Sequence, residues 1–344
     1  MSNKKINITV SQVSKTDNVD LEQSQLVLNI SGSSINCTII NTLRRVSMDL
    51  IPTYAFPKDS IKIEKNTSKY NNDMMRLKLS QISYPGFLFK HPNLKIPTFL
   101  LQEHFWKGVD YSDKKRELHE NDKHKIEMYI NKTNDTPTVM NITSHDITFF
   151  ENGEKITHPY KKSPCFILGL NPKEEFKCYA IAQLGIGEAN NIWAAAGNTY
   201  YKQLKPDETE YLLTVESAGQ INEQEILVKC CEIIKIKLEQ IKEIVARQHD
   251  TEDNRNSLRI QLILTNEDHT MGQLLNRTLQ NKAEMEGSNI LFCGQAMKDN
   301  LAKEVIIKLV ISKGNILETI FDTIDYLIEV YNKLGNDFSK LSSK

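Results

Sequence analysis

Ser34-Ile35-Asn36-Cys37-Thr38-Ile39-Ile40-Asn41-Thr42-Leu43-Arg44-Arg45-Val46-Ser47-Met48-Asp49-Leu50-Ile51-Pro52-Thr53 is apolar at Ile35, Ile39, Leu43, Val46 and Leu50. Side chains three or four positions apart share one face of a helix. Pro52 must end that helix, because its ring removes an amide donor and clashes with the preceding turn. Arg44 and Arg45 fall on the opposite edge. Gly32 and Ser33-Ser34 stand just before it, where a cap is expected.

Working outward, residues 6–10 and 26–30 alternate apolar with polar residues and read as strands, as does 61–67. Residues 73–82 read as a short helix leading to a Pro85-Gly86 turn. Residues 92–135 are polar and mixed, and Lys114-Lys115-Arg116-Glu117 within them reads as a solvated surface. From 138 to 201 the pattern is β-like, with strands expected at 146–150, 165–168 and 176–182. Another follows at 211–216, before a turn at Gly219.

A long helix is expected over 222–247, with a stripe at Leu227, Cys230, Cys231, Ile234, Leu238, Ile241 and Val245 wide enough to meet more than one neighbour. Residues 249–256 are charged and aperiodic, and read as a linker. Beyond it the order strand, helix, strand, long helix recurs: strands at 258–265, 290–293 and 305–311, a helix over 271–279 and a last helix over 315–338. That helix carries Ile316, Ile320, Ile324, Leu327, Tyr331, Leu334 and Phe338 on one face.

The 344 residues exceed the usual single-domain size. At 40 % hydrophobic and 25 % charged residues the composition is that of a globular protein. No window approaches the roughly 20 apolar residues of a membrane span. The first residues lack the apolar core of a secretory signal, so the expected location is inside a cell. A net charge of −1 argues against a dedicated nucleic-acid binder. The six cysteines, at 37, 165, 178, 230, 231 and 293, form no C-x-x-C pair, so neither a zinc site nor any other cofactor is expected, and the thiols read as buried and reduced.

Several motifs together carry a family resemblance. The run Asn41-Thr42-Leu43-Arg44-Arg45 through Ile51-Pro52-Thr53 resembles the signature helix of the alpha-like subunits of cellular RNA polymerases. Ile63-Glu64-Lys65-Asn66-Thr67-Ser68, Asn141 to Ile147, Gly185 to Ala189, Trp193 to Ala196 and Val215 to Gly219 resemble the larger of these subunits, the archaeal D-type one and its eukaryotic relatives. Glu267-Asp268-His269-Thr270-Met271-Gly272-Gln273-Leu274-Leu275, with Asn289 to Gly294, resembles the smaller, the archaeal L-type one. The resemblance spans about two thirds of the chain, in order. Met75-Arg76-Leu77-Lys78 keeps only the arginine and leucine of the family's H-R-L-G element, and the clustered cysteines of some larger subunits are lacking, so no metal is carried over. Both subunits on one chain resembles the arrangement in certain large cytoplasmic DNA viruses.

The resemblance implies an α+β fold made of two related dimerisation units packed as an intramolecular pseudo-heterodimer. The first unit is expected from 1–56 and 208–249, a mostly β insert from 57–207, a linker at 250–256 and the second unit from 257–344. It also implies a non-catalytic scaffold that holds the two largest polymerase subunits, meets other small subunits, touches DNA only through the complex and has no membrane partner. A viral enzyme would work in the host cytoplasm and virion, with the nucleus a further possibility.

Within this scheme Arg44, Arg45 and Arg76 are expected at partner contacts, since a guanidinium fork suits carboxylates and carbonyls. Leu43, Val46 and Leu275 are expected in the internal interface. Glu267, Asp268, His269, Thr270 and Gly272 open the second unit's helix, where acidic and hydroxyl groups cap free amides. Gly185 and Gly187 read as a β-turn in the insert, since Asn190 takes the place of a phosphate loop's third glycine. Two other classes stay open: a hydrolase using Cys37 or Cys165 with a distant histidine, and a free-standing nucleic-acid-binding module.

Overall fold

Strand β1 (Thr9–Asn18) and strand β2 (Gln23–Ser31) form the first hairpin of a sheet completed by β12 (Ala196–Gln203) and β13 (Glu210–Ser217) in the order β1-β2-β13-β12. All of its pairings are antiparallel. The structure is a computed structural model that describes residues 6–18, 23–82, 84, 125–156, 164–207, 209–249, 258–297 and 303–341. The Pro85-Gly86 turn, residues 92–124 with their basic run, and the 250–256 linker lie outside the described residues.

Helix α1 (Cys37–Asp49) begins later than the serines suggest. Asn36 is its cap and accepts from the Ile39 amide at 3.0 Å, while Ser34 Oγ accepts from the Asn7 amide instead. An asparagine carbonyl reaches the free amide three residues on without helical backbone at its own position. The first strand also starts later than expected, at Thr9 rather than residue 6.

Between the halves of this first sheet lie β3 (Thr53–Ala55), β4 (Ile61–Asn66), α2 (Asn72–Ser80), β5 (Ile126–Thr133), β6 (Met140–Thr143), β7 (Thr148–Glu151), β8 (Glu154–Lys155), β9 (Phe166–Leu170), β10 (Glu175–Ile181) and β11 (Gln183–Gly185). A five-stranded sheet, β4-β10-β5-β7-β8, is their largest unit. Its middle strand β5 falls in the stretch that has no readable periodicity. Ile126, Glu127 and Met128 are all buried, so the two-residue alternation that marks a one-sided strand is missing.

After β13 comes α3 (Glu223–His249), then β14 (Arg259–Thr265), α4 (His269–Ala283), β15 (Ile290–Met297), β16 (Glu304–Ile311) and α5 (Ile316–Lys340). The sheet order here is β14-β16-β15, again antiparallel. It matches β2-β13-β12 strand for strand, and α1 packs on β12 as α4 packs on β15. The helices correspond as well. With the caps Asn36 and Asp268 aligned, Ile39, Ile40, Thr42, Leu43, Val46 and Ser47 are buried on α1 where Met271, Gly272, Leu274, Leu275, Thr278 and Leu279 are buried on α4.

Helices α3 and α5 pack antiparallel. Gln224 donates to the Phe338 carbonyl at 2.6 Å, Lys235 to Asn332 at 2.8 Å and Lys242 to Asp325 at 2.6 Å, so early residues of one meet late residues of the other. Every apolar residue of the two long stripes is buried. The cysteines depart from expectation in part, because Cys165 is exposed and Cys37 half-buried, while Cys178, Cys230, Cys231 and Cys293 are in the core. The architecture is a mixed α/β one, with helices laid against small antiparallel sheets.

Candidate functional site

The amphipathic faces of α1, α3, α4 and α5 leave a seam whose apolar part is closed by large side chains. Leu43, Val46 and Leu275 are each at most 2 % exposed. Across the seam, the Cys230 thiol lies 3.8 Å from the Leu43 carbonyl and the Tyr331 hydroxyl donates to the Ile39 carbonyl at 3.4 Å. Burial in this apolar setting pushes the Cys230, Cys231 and Tyr331 acids well up, so all three stay protonated at neutral pH.

One end of the seam is charged. Lys237, from α3, sits within 3.1 Å of both carboxylate oxygens of Glu267, and the two side chains are 6 % and 5 % exposed. Arg45, from α1, meets Asp268 at 3.0 Å. Lys303 pairs with Glu188. Asp49 completes the rim of a cavity of about 30 Å³, room enough for water.

These charges perturb one another. Burial raises the Glu267 acid despite the opposing Lys237 ammonium. Burial likewise raises Asp49, with Glu188 and Asp268 adding to it and Arg45 opposing. Asp268 ends below its ordinary range, because Arg45 and the hydroxyl and amide of Thr270 outweigh the effect of burial.

Helix α4 depends on this end for its start. Asp268 is its cap and accepts from the Thr270 amide at 2.8 Å. His269 places Nδ1 3.0 Å from the Gln295 amide nitrogen, so Asp268 and His269 face different partners and form no relay. A side chain at Gly272 would meet Val305 Cγ1 at 2.5 Å, so its absence lets the helix lie close on β16.

The other arginines sit differently. Arg44 Nε donates to Asn41 at 3.0 Å on the same helix. Arg76, on α2, bonds to the Ile61 carbonyl and to Asp73. Of the two glycines expected in a turn, Gly187 begins one, whereas Gly185 is the last residue of β11 and pairs with Thr53. Gly185 lies under the Trp193 ring, and Gly187 lies so close to the Met48 carbonyl that a side chain could not fit. The Glu188 amide donates to the Asp49 carbonyl at 2.8 Å, closing the end of α1.

Sequence reading missed Asp49, Glu188, Lys237 and Lys303. Only Lys237 left a trace, as a lone charge at core spacing between Ile234 and Ile241. Among the described residues no cluster of His, Cys, Asp and Glu could hold a metal, and no helix is long and apolar enough to cross a membrane.

A sequence model of the RNA polymerase Rpb3/Rpb11 dimerisation domain matches residues 29–238, more than half of the chain. The chain belongs to that family. A protein of Acanthamoeba polyphaga mimivirus, named as a DNA-directed RNA polymerase subunit, is 30 % identical over 331 residues, 92 % of this chain and 90 % of the relative. DNA-directed RNA polymerase subunit Rpo3 of Methanocaldococcus jannaschii is 27 % identical over 201 residues, 58 % of this chain and 80 % of the relative. The mimivirus protein thus shares nearly the whole length of this Rpb3/Rpb11-family chain.

Proposed function

We propose that this chain is the assembly subunit of a multisubunit DNA-directed RNA polymerase and does alone what two alpha-like subunits do in separate-chain enzymes. The observation that carries the reading is the repeated unit. β2-β13-β12 with α1 and α3, and β14-β16-β15 with α4 and α5, share one topology and bury their long helices against each other. A connection of about ten residues reaches at most roughly 35 Å and holds the second unit at an effective concentration near millimolar, so pairing becomes intramolecular docking.

In this reading the chain supplies no catalytic residue. It holds the two largest subunits, contacts other small subunits and meets DNA only through the complex. The near full-length match to a mimivirus protein favours a viral enzyme, working in the host cytoplasm and carried in the virion.

Arg44 is the partner-facing arginine in this scheme, because Arg45 already has Asp268. Affinity capture of the tagged chain from its native source is expected to bring down two very large polypeptides in equal amounts. Arg44→Glu should keep the fold and lower recovery of the second largest. Capture of the chain alone, or turnover or DNA retention by the isolated chain, would sink the scaffold reading.

A further inference from the structure

The two units correspond residue by residue, but their polar groups do not. Aligning the caps Asn36 with Asp268 and Asn222 with Asn315 puts Ile35 in the place of Glu267 and Val330 in the place of Lys237. The alignment of the long helices is supported by their cores. Leu227, Cys231, Ile234, Leu238, Ile241 and Val245 fall on Ile320, Ile324, Leu327, Tyr331, Leu334 and Phe338, all buried. The seam therefore has two arms. One joins Lys237 to Glu267, buried and bidentate, with Arg45 on the anionic cap Asp268 beside it. At the corresponding places on the other arm stand Val330 and Ile35, buried and apolar, and the neutral cap Asn36, while Arg277 takes the place of Arg45, so the asymmetry of buried charge lies in Lys237 and Glu267.

We propose that this charge asymmetry is a pairing code that makes each unit accept the other and reject a copy of itself. The inference rests on the paired-unit reading above and adds what selects the partner. Two first units brought together would set Lys237 against Ile35 on both arms. Two second units would set Glu267 against Val330 on both arms. Each wrong pairing buries charges that no partner neutralises, which is far costlier than a surface mismatch. The correct pairing satisfies all of them. Specificity of this kind comes from penalising the alternative rather than from strengthening the right contact. It suits a chain whose units share a fold, and whose nascent copies meet one another before assembly is complete.

Three variants of the full chain test it, because each rebuilds one of these contacts on the charged arm. Glu267→Ile creates the lysine–isoleucine contact of a first-unit homodimer. Lys237→Val creates the glutamate–valine contact of a second-unit homodimer. Both changes together copy the apolar arm. Each single variant is expected to melt roughly 5–10 °C below the unmodified chain, and the double variant to return to within a few degrees of it. Single variants as stable as the double would show that mispaired contacts carry no penalty, and a double variant that fails to fold would show that the pair is structural rather than selective; either overturns the proposal.

A second arm reads selection directly. Lys237→Glu chains and Glu267→Lys chains, differently tagged and co-expressed, should capture each other at least tenfold more than two unmodified chains do, through reciprocal exchange of units. Cross-capture at the unmodified level also counts against the code. Leu43→Asp separates the two readings: if it leaves the chain a compact, stable monomer, the paired units themselves are wrong, whereas a defect there with no penalty in the single charge variants removes only the code.

Discussion

Asp268 holds the amide of Thr270 with one carboxylate oxygen and Arg45 with the other, so one side chain starts a helix and ties it to α1. Asp268→Asn keeps a good cap but removes the ion pair. The folded-state acid lies below its ordinary value of 3.8, so its stabilisation is fully present above that value and is lost as pH falls through the lower folded-state value. The unmodified chain is therefore expected to exceed the asparagine variant by about 0.2–1 kcal/mol at pH 6–7, because the pair is partly solvated. The two should converge as the medium is acidified below pH 4. Urea titrations at stepped pH measure this, and a gap that stays constant down to pH 2 would exclude an ionic origin. The cap was legible because Asp268 and Thr270 are neighbours in sequence. Its second partner was not, since Arg45 lies 223 residues away and nothing local distinguishes a paired arginine from a solvated one.

Helix α1 ends against a turn from far along the chain, and the packing there is tight enough to be tested by one methyl group. Gly187 rests on the Met48 carbonyl while the next amide, of Glu188, donates to Asp49. Gly187→Ala must push backbone from backbone, since no flexible side chain is available to yield. A loss of about 1–3 kcal/mol is expected, read as a lower denaturant midpoint at unchanged slope. An unchanged midpoint would mean that the turn is free to lift away. Elements with strong periodicity, α1, α3, α4 and α5, were visible in sequence because each has one buried face. β5 was hidden because both of its faces are covered near Ile126–Met128, and β12 because Tyr200 and Tyr201 follow the small, weakly patterned run Ala196-Gly197-Asn198. The role of Gly187 was hidden for another reason: glycine spacing reports a turn, and only the tertiary fold reports what the turn leans on.

At the scale of the whole chain the question is whether the units are partners or merely neighbours. The recurrence of strand, helix, strand and long helix was legible, since both copies carry the same periodicities. The charged arm was not, because Lys237, Glu188 and Lys303 converge from three distant segments. If the helices form one shared core, the covalent connection is dispensable once folding is complete. A protease site engineered within 250–256 should then be cut without release, and both fragments should co-elute. Leu43 is fully buried beside Cys230 of α3, so Leu43→Asp places a carboxylate in an apolar seam at a cost of several kcal/mol. That is a large part of the roughly 5–15 kcal/mol that holds a typical domain together. Before cleavage the tether keeps the second unit close and masks part of the defect; after cleavage this protection is gone, and the aspartate form should part into two fragments on a sizing column. Leu43→Ala, expected to cost about 2–5 kcal/mol, is the weaker test because the apolar surroundings can partly collapse onto the gap. Fragments that separate freely in the unmodified protein would show that the shared helices contribute little on their own, and the pseudo-heterodimer would reduce to two domains on a string.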